Sequence, residues 1–299
     1  MPEAGRLAYS CADFWIGRKR FDLTKVENAR AAVAHLKPIV VITGGSRGIG
    51  AALAMRFAEA GNDVAIVARN AEELSAAARL ICQATQRRVI ELVQDITDTM
   101  APGVIEKALT GQGFYIDVLI NNAGCGLSGL FEKQKSDDID DLIDLNVRAL
   151  TRLTRYVLPS LRARRRGGIL NVASLGGVVP GPYQAAYYAS KAYVVSLTEA
   201  VAAETSGEGV RIAVLVPGAV NTSFHHNMGA EEARYRWALP AQTPERVART
   251  AYRNFSLGQR VIVPGIFNRL AFVTLRLLPH PVSVPLMAWL LSLNGKPRE

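Results

Sequence analysis

Tyr187 and Lys191 are the residues whose types and spacing point most directly to chemistry. Four positions apart, they share one face of a helix. A nearby ammonium stabilises phenolate, and bringing a tyrosine from ~10 to near 7 takes ~4 kcal/mol. Tyr187 would then donate a proton to a carbonyl oxygen undergoing reduction. Such a pair recurs by chance, so its neighbours must carry the weight. The adjacent Tyr188 would point elsewhere.

A second group suits a phosphate-bearing ligand. Residues 39–57 read IVVITGGSRGIGAALAMRF, with Gly44, Gly48 and Gly50 between an apolar strand and an amphipathic helix. Glycine there permits a tight turn and lets the backbone approach a pyrophosphate, whose charge the helix N-terminus stabilises. After the next strand, Ala68-Arg69-Asn70 stands where NAD-binding folds usually place an acidic residue for the ribose 2′-hydroxyl. Ala68 offers no carboxylate, whereas Arg47 and Arg69 could bracket a 2′-phosphate in bidentate fashion. The alternative is that both arginines are solvated surface residues. The pattern favours NADP(H) over NAD(H).

The elements that must position these groups alternate strand and helix. Strands are expected at 39–42, 64–67, 89–93, 118–120, 169–172 and 211–216, with helices at 50–60 and 71–85 and between the later strands. The strands are continuous Val/Ile/Leu runs, as in a parallel sheet covered on both faces. The expected fold class is α/β, a doubly wound Rossmann sheet in a single domain, with ligands at the carboxyl ends of the strands. Residues 1–37 read as an N-terminal extension holding a helix capped by Thr24, with Glu27 as capping-box partner, that runs to about Leu36. Residues 38–265 form the catalytic domain, and residues 266–299 are an apolar tail, with two short helices expected at Phe267–Leu278 and Pro285–Leu293 around a proline corner.

The 299 residues are 49% hydrophobic and 20% charged, which excludes a disordered chain and supplies a large core. Thirty-five basic against 26 acidic residues leave a net charge of +9, suited to an anionic partner. Cys11, Cys82 and Cys125 form no CxxC, and the four histidines form no HExxH, so no metal site is expected. No secretory h-region and no apolar run of ~18 residues are present, so the expectation is a cytoplasmic protein. The basic run 162–166 reads as a solvated helix end without the interleaved aromatics of a nucleic-acid site.

These motifs stand in one order, and the chain resembles the short-chain dehydrogenase/reductase family over about residues 38–265. The family's TGxxxGIG loop matches Thr43, Gly44, Gly45, Ser46, Arg47, Gly48, Ile49 and Gly50. Its acidic adenine contact matches Asp95, followed by Ile96, and its NNAG matches Asn121, Asn122, Ala123 and Gly124. The helix asparagine matches Asn146, the catalytic serine Ser174, YxxxK Tyr187 and Lys191, and PGxVxT residues 217–222, with Pro217, Gly218, Val220 and Thr222 at the cofactor.

The resemblance implies hydride transfer between a nicotinamide and a carbonyl or secondary alcohol. Ser174 would bond the carbonyl oxygen, and Tyr187 would deliver the proton. Lys191 would bind the nicotinamide ribose and lower the tyrosine pKa, while Asn146 would hold a relay water. It also implies a homo-oligomer, dimer or tetramer.

Cys125 reads as a small filler near the cleft, and His225 and His226 as solvated histidines in the segment that forms the substrate lid in relatives, to which residues 227–239, with Tyr235 and Trp237, also belong. The tail is either a flap packed on the domain or a partner subunit, or a lip for a greasy substrate with peripheral membrane contact. The substrate is therefore expected to be hydrophobic: a 3-oxoacyl, long-chain or steroid-like ketone. A non-catalytic NADP-binding scaffold or redox sensor is the alternative function. A nucleic-acid partner is not expected.

Overall fold

A computed structural model describes residues 23–224, 228–229 and 241–292 of the chain. His225, His226, Tyr235 and Trp237, and so most of the expected lid, lie outside the described residues, as does Cys11.

Seven parallel strands run in the order β3-β2-β1-β4-β5-β6-β7. They are β1 (Lys37–Thr43), β2 (Val64–Ala68), β3 (Val89–Val93), β4 (Phe114–Asn121), β5 (Gly168–Val172), β6 (Arg211–Leu215) and β7 (Val261–Ile262). The first six fall where the apolar runs predict them. The two-residue β7 is too short to leave a periodic signal.

On one face of the sheet, α2 (Gly48–Glu59), α3 (Ala71–Thr85) and α8 (Pro244–Ser256) enclose a core around Ile42, Leu53, Phe57, Ile66 and Phe255. On the other lie α4 (Ala101–Thr110), α6 (Leu150–Arg164) and α7 (Ala185–Glu204), packed over Val41, Leu119 and Ile169. The strand order reverses between β1 and β4, which opens a crevice at their carboxyl ends.

Buried amides lock that crevice from below. The Asn121 side chain donates to Thr154 Oγ1 at 3.0 Å and to Asn171 Oδ1 at 2.9 Å, and Asn171 donates to Thr198 Oγ1 at 2.9 Å. One polar chain thus ties α6, β4, β5 and α7 together where a buried polar group without a partner would be costly.

The N-terminal extension carries α1, described over Leu23–Ala31, so Thr24 lies within the helix and the helix ends several residues before Leu36. It rests on α6, with Arg30 Nε donating to the Arg164 carbonyl at 3.1 Å. In the run 162–166, Arg162 and Arg166 are exposed as expected, but Arg164 is not. Arg164 is buried: its guanidinium donates to the Ile116 carbonyl at 2.8 Å and stacks 4.8 Å from the Tyr115 ring. Arg162 holds Glu208 bidentately, and Arg166 pairs with Asp117 at 3.2 Å. These arginines staple helix ends to β4 and the turn before β6.

The tail forms α9 (Ile266–Leu277) and α10 (His280–Leu291). The corner falls at Leu278-Pro279, and Pro285 lies inside α10 instead of starting it. Asn268 anchors α9 by donating to the Pro264 carbonyl at 2.8 Å. A side chain on Gly218 would strike Asn268 Oδ1 at 2.4 Å, so the glycine admits this anchor beside the PGxVxT segment.

Candidate active site

The turn after β1 is built on two glycines in the left-handed region, Gly44 at φ 63° and Gly48 at φ 56°. The helix they open has Arg47 at its cap with no side-chain hydrogen bond, leaving first-turn N–H groups for an anionic ligand. Gly50 serves packing instead: a Cβ there would lie 2.0 Å from the Gly44 carbonyl. Across the crevice, the Asn122 amide donates to the carbonyls of Thr43 and Gly44 at 3.0 and 3.1 Å. The Thr43 hydroxyl accepts the N–H groups of Asn122 and Ala123 at 3.0 and 3.1 Å. The ends of β1 and β4 are thus latched around the turn.

Together these loops bound a cleft of about 630 Å³. Ser46, Arg47 and Ile49 line it beside Gly44 and Gly48, as do Arg69 and Asn70 after β2 and Asp95 and Ile96 after β3. Asn122, Ala123 and Gly124 reach it from β4, and Pro217, Gly218, Val220 and Thr222 from β6. Ser174, Tyr187 and Lys191 complete its wall. Gly50 and Asn146, both expected at the site, stand behind the wall.

The two arginines expected to bracket a phosphate each face a carboxylate. Arg47 lies 3.7 Å from Glu73, which also accepts the Ser46 hydroxyl at 3.3 Å. Arg69 lies 3.7 Å from Asp95. Burial works to raise the Asp95 pKa, but hydrogen bonds from the Thr97 N–H and hydroxyl, with Arg69, hold it below the usual value. Asn70 caps α3 by accepting the Glu73 N–H at 3.0 Å. The cap that starts α3 therefore also sets Glu73 against Arg47, a carboxylate that strand-end inspection overlooks because it lies one helical turn on.

Tyr187 and Lys191 lie on α7 as their spacing predicts, 7% and 5% exposed. Burial pushes the phenol up to about 12, although a hydrogen bond with Ser174 works in the opposite direction. Burial likewise takes the Lys191 ammonium down to about 8, and its Nζ donates to the Val172 carbonyl at 3.1 Å. The expectation that Lys191 brings the phenol toward neutrality is therefore not met in this structure. Its Nζ stands 5.9 Å from the Tyr187 ring centroid, and desolvation sets the direction of the shift.

Asn146 sits in a π-helical stretch, Asp144–Ala149, between α5 (Ser136–Ile143) and α6. Its amide donates to the Cys125 carbonyl at 2.8 Å and to Ser190 Oγ at 3.0 Å, and its oxygen accepts the Cys125 N–H at 3.0 Å. Asn146 thus clasps the loop after β4 directly. Gly124 keeps the centre compact, since a Cβ there would lie 3.0 Å from Asn146 Oδ1 and 3.3 Å from Lys191 Nζ. Cys125 lines the cleft, and burial raises its thiol pKa, which suits the filler reading.

On the side away from the glycine turn, the tyrosine is walled by apolar groups that motif reading did not reach. Its ring lies 5.6 Å from Phe224, within a cluster that includes Leu142, Tyr188, Met228, Met287 and Leu291. Tyr183, held at φ 66° before α7, packs against the same cluster.

Comparison with known proteins agrees with this arrangement. The family model for short chain dehydrogenase matches residues 38–233. The chain belongs to the short-chain dehydrogenase/reductase family, whose members are oxidoreductases. It is 33% identical to a 3-ketodihydrosphingosine reductase of Bacteroides thetaiotaomicron over 195 residues, 65% of this chain and 68% of that one. It is 32% identical to the 3-oxoacyl-acyl-carrier-protein reductase FabG of Staphylococcus aureus over 178 residues, 60% of this chain and 72% of the relative. Among solved structures, a short-chain dehydrogenase from Sphingobium yanoikuyae in complex with NADPH matches with a TM-score of 0.70 and 32% identity. That match covers 79% of this chain and 92% of the neighbour.

Proposed function

We propose that this chain is an NADPH-dependent reductase of lipophilic ketones, of the 3-oxoacyl, long-chain or steroid-like kind, with alcohol oxidation as the reverse reaction. One observation carries the reading: Ser174, Tyr187 and Lys191 meet on a cleft whose glycine turn suits a pyrophosphate and where Phe224, from an apolar cluster, packs against the Tyr187 ring. Two similar proteins are, by name, reductases of 3-keto and 3-oxo compounds, and the Sphingobium neighbour was solved with NADPH.

The residues fit a dinucleotide with a 2′-phosphate. Gly44, Gly48 and the opening turn of α2 would receive the pyrophosphate, Ser46, Arg47, Arg69 and Asn70 the phosphorylated ribose, and Asp95 and Ile96 the adenine. Asn122, Ala123, Gly124, Pro217, Gly218, Val220 and Thr222 would hold the nicotinamide half. The bound cofactor supplies the hydride.

Ser174 donates a hydrogen bond to the substrate oxygen, where negative charge develops. Tyr187, whose phenol burial keeps protonated, gives that oxygen its proton. Lys191 carries the positive charge that offsets the phenolate left behind. Asn146 is a positioning residue that holds the Cys125 loop beside them. Assembly as a homo-oligomer belongs to the same reading by family habit.

The test is NADPH oxidation across ketones and 3-oxoacyl thioesters of increasing chain length, with NADH and Tyr187→Phe as controls. A rate that climbs with chain length, prefers NADPH and falls by about 10²-fold or more in the variant is expected. Tight NADPH binding with no turnover of any carbonyl would favour a scaffold, and a flat chain-length response would remove the lipophilic substrate.

A further inference from the structure

Helix α9 buries Asn268 and Phe272 and turns the opposite side outward. Ile266, Leu270, Val273 and Leu277 fall within about 60° of one another around the helix, and all are exposed. Leu277 is 78% exposed, and Phe267 flanks the stripe. Helix α10 repeats the design, with Val282, Leu286 and Trp289 outward and Ser283, Met287 and Leu291 inward. Eight large apolar side chains therefore face away from the domain on two consecutive helices, more than scattered surface residues explain.

Charge says what covers them. Residues 266–299 hold four Lys or Arg and one Glu, a net charge of +3, although Arg276 also pairs with Glu199 at 3.2 Å. Arg269 and Arg276 stand along one edge of the α9 stripe. A second copy of the chain would bring the same positive segment against itself across a two-fold contact. An anionic bilayer would attract it. Helices of 12 residues are ~18 Å long against a hydrocarbon core of ~30 Å. No described helix is long and apolar enough to cross a membrane.

We propose that the outward faces of α9 and α10 form a docking surface for an anionic lipid bilayer, lying in the interface with the arginines at the headgroups. The inward face of α10 places Met287 and Leu291 in the cluster that walls Tyr187. Docking would therefore bring the apolar cluster that packs on Tyr187 close to the bilayer. That consequence rests on the lipophilic-ketone reading, whereas the docking surface itself does not.

The experiment is co-sedimentation of the full chain with phosphatidylglycerol or phosphatidylcholine vesicles, for wild type and for the Leu270→Glu/Leu277→Glu double variant. Thermal unfolding verifies that the variant folds, and Val273→Glu is the second variant if it does not. Expected are about tenfold greater recovery on the anionic vesicles, loss of most of it in ~0.5 M NaCl, and a comparable loss in the variant. Equal sedimentation of wild type and variants would overturn the proposal. So would a wild-type dimer that the variants dissociate, with no vesicle binding, since the stripe would then be a subunit contact. Neither readout uses turnover, so failure of the ketone assay leaves this test intact.

Discussion

Asn146 and Cys125 hold each other by a reciprocal pair of hydrogen bonds, amide to carbonyl at 2.8 Å and N–H to amide oxygen at 3.0 Å. The clasp joins a buried π-helical stretch to the loop after β4 and lies behind Lys191 and Tyr187. Asn146→Ala leaves both Cys125 backbone groups without these partners, a loss of about 1–3 kcal/mol. Denaturant unfolding checks the stability. The turnover rate should fall more than NADPH affinity changes, because the pyrophosphate turn is remote from the clasp.

Glu73 competes for the groups that would meet a 2′-phosphate. Glu73→Gln removes the charge facing Arg47 and keeps a hydrogen-bonding group beside Ser46. Both members of the ion pair are well exposed, so the expected gain in NADPH affinity is modest, about two- to fivefold. Paired titrations with NADPH and NADH check it: only the phosphorylated cofactor should benefit.

Lys191 is a buried cation, and its titration has a definite sign. Its folded pKa of about 8 lies below its ordinary 10.5. Below pH 8 both states carry the proton, and the folded state bears the full cost of burying the charge. Between about 8 and 10.5 the unfolded chain binds more protons, so this contribution to stability improves as pH rises. Lys191→Met should therefore unfold at a higher temperature than wild type at pH 7, with the gap narrowing from pH 8 to 10. A gap that widens with pH would contradict this. The phenol of Tyr187, raised to about 12, acts oppositely and only above about pH 10.

Gly50 and Gly103 form a matched pair of substitutions. Alanine at Gly50 would drive a Cβ to 2.0 Å from the Gly44 carbonyl and 2.5 Å from the Asn122 amide. The expected loss is about 3 kcal/mol or more, with weakened NADPH binding. Gly103, inside α4, meets only Tyr156 Oη at 3.9 Å, so Gly103→Ala should be neutral or stabilise by up to about 1 kcal/mol. Chemical denaturation of the two variants separates space from propensity.

Much of the fold was legible because it is written in local signals. Six apolar runs, the turn glycines and the four-residue Tyr–Lys spacing each report backbone geometry within a few residues. Helix ends were less legible at the termini: α1 stops at Ala31, and α10 runs through Pro285. Packing against the domain settles those boundaries, and single-residue propensities do not carry it. Within the run 162–166, charge alone does not tell the exposed Arg162 and Arg166 from Arg164, buried against Tyr115 and the Ile116 carbonyl.

The sequence by itself determined the doubly wound sheet, the edge at which its loops gather, and the identity of Ser174, Tyr187 and Lys191 as the residues to watch. These follow from periodicity and motif order, which are properties of the chain read in line. Only the tertiary structure decided that Glu73 faces Arg47, that Asn146 spends its amide on Cys125, and that burial pushes Tyr187 up and Lys191 down. It alone placed Met287 and Leu291 in the apolar wall beside Tyr187 while turning Leu286 and Trp289 outward. Each of these depends on groups distant in sequence meeting at a few ångströms, where desolvation and short-range contacts set the energies and no local pattern records the meeting.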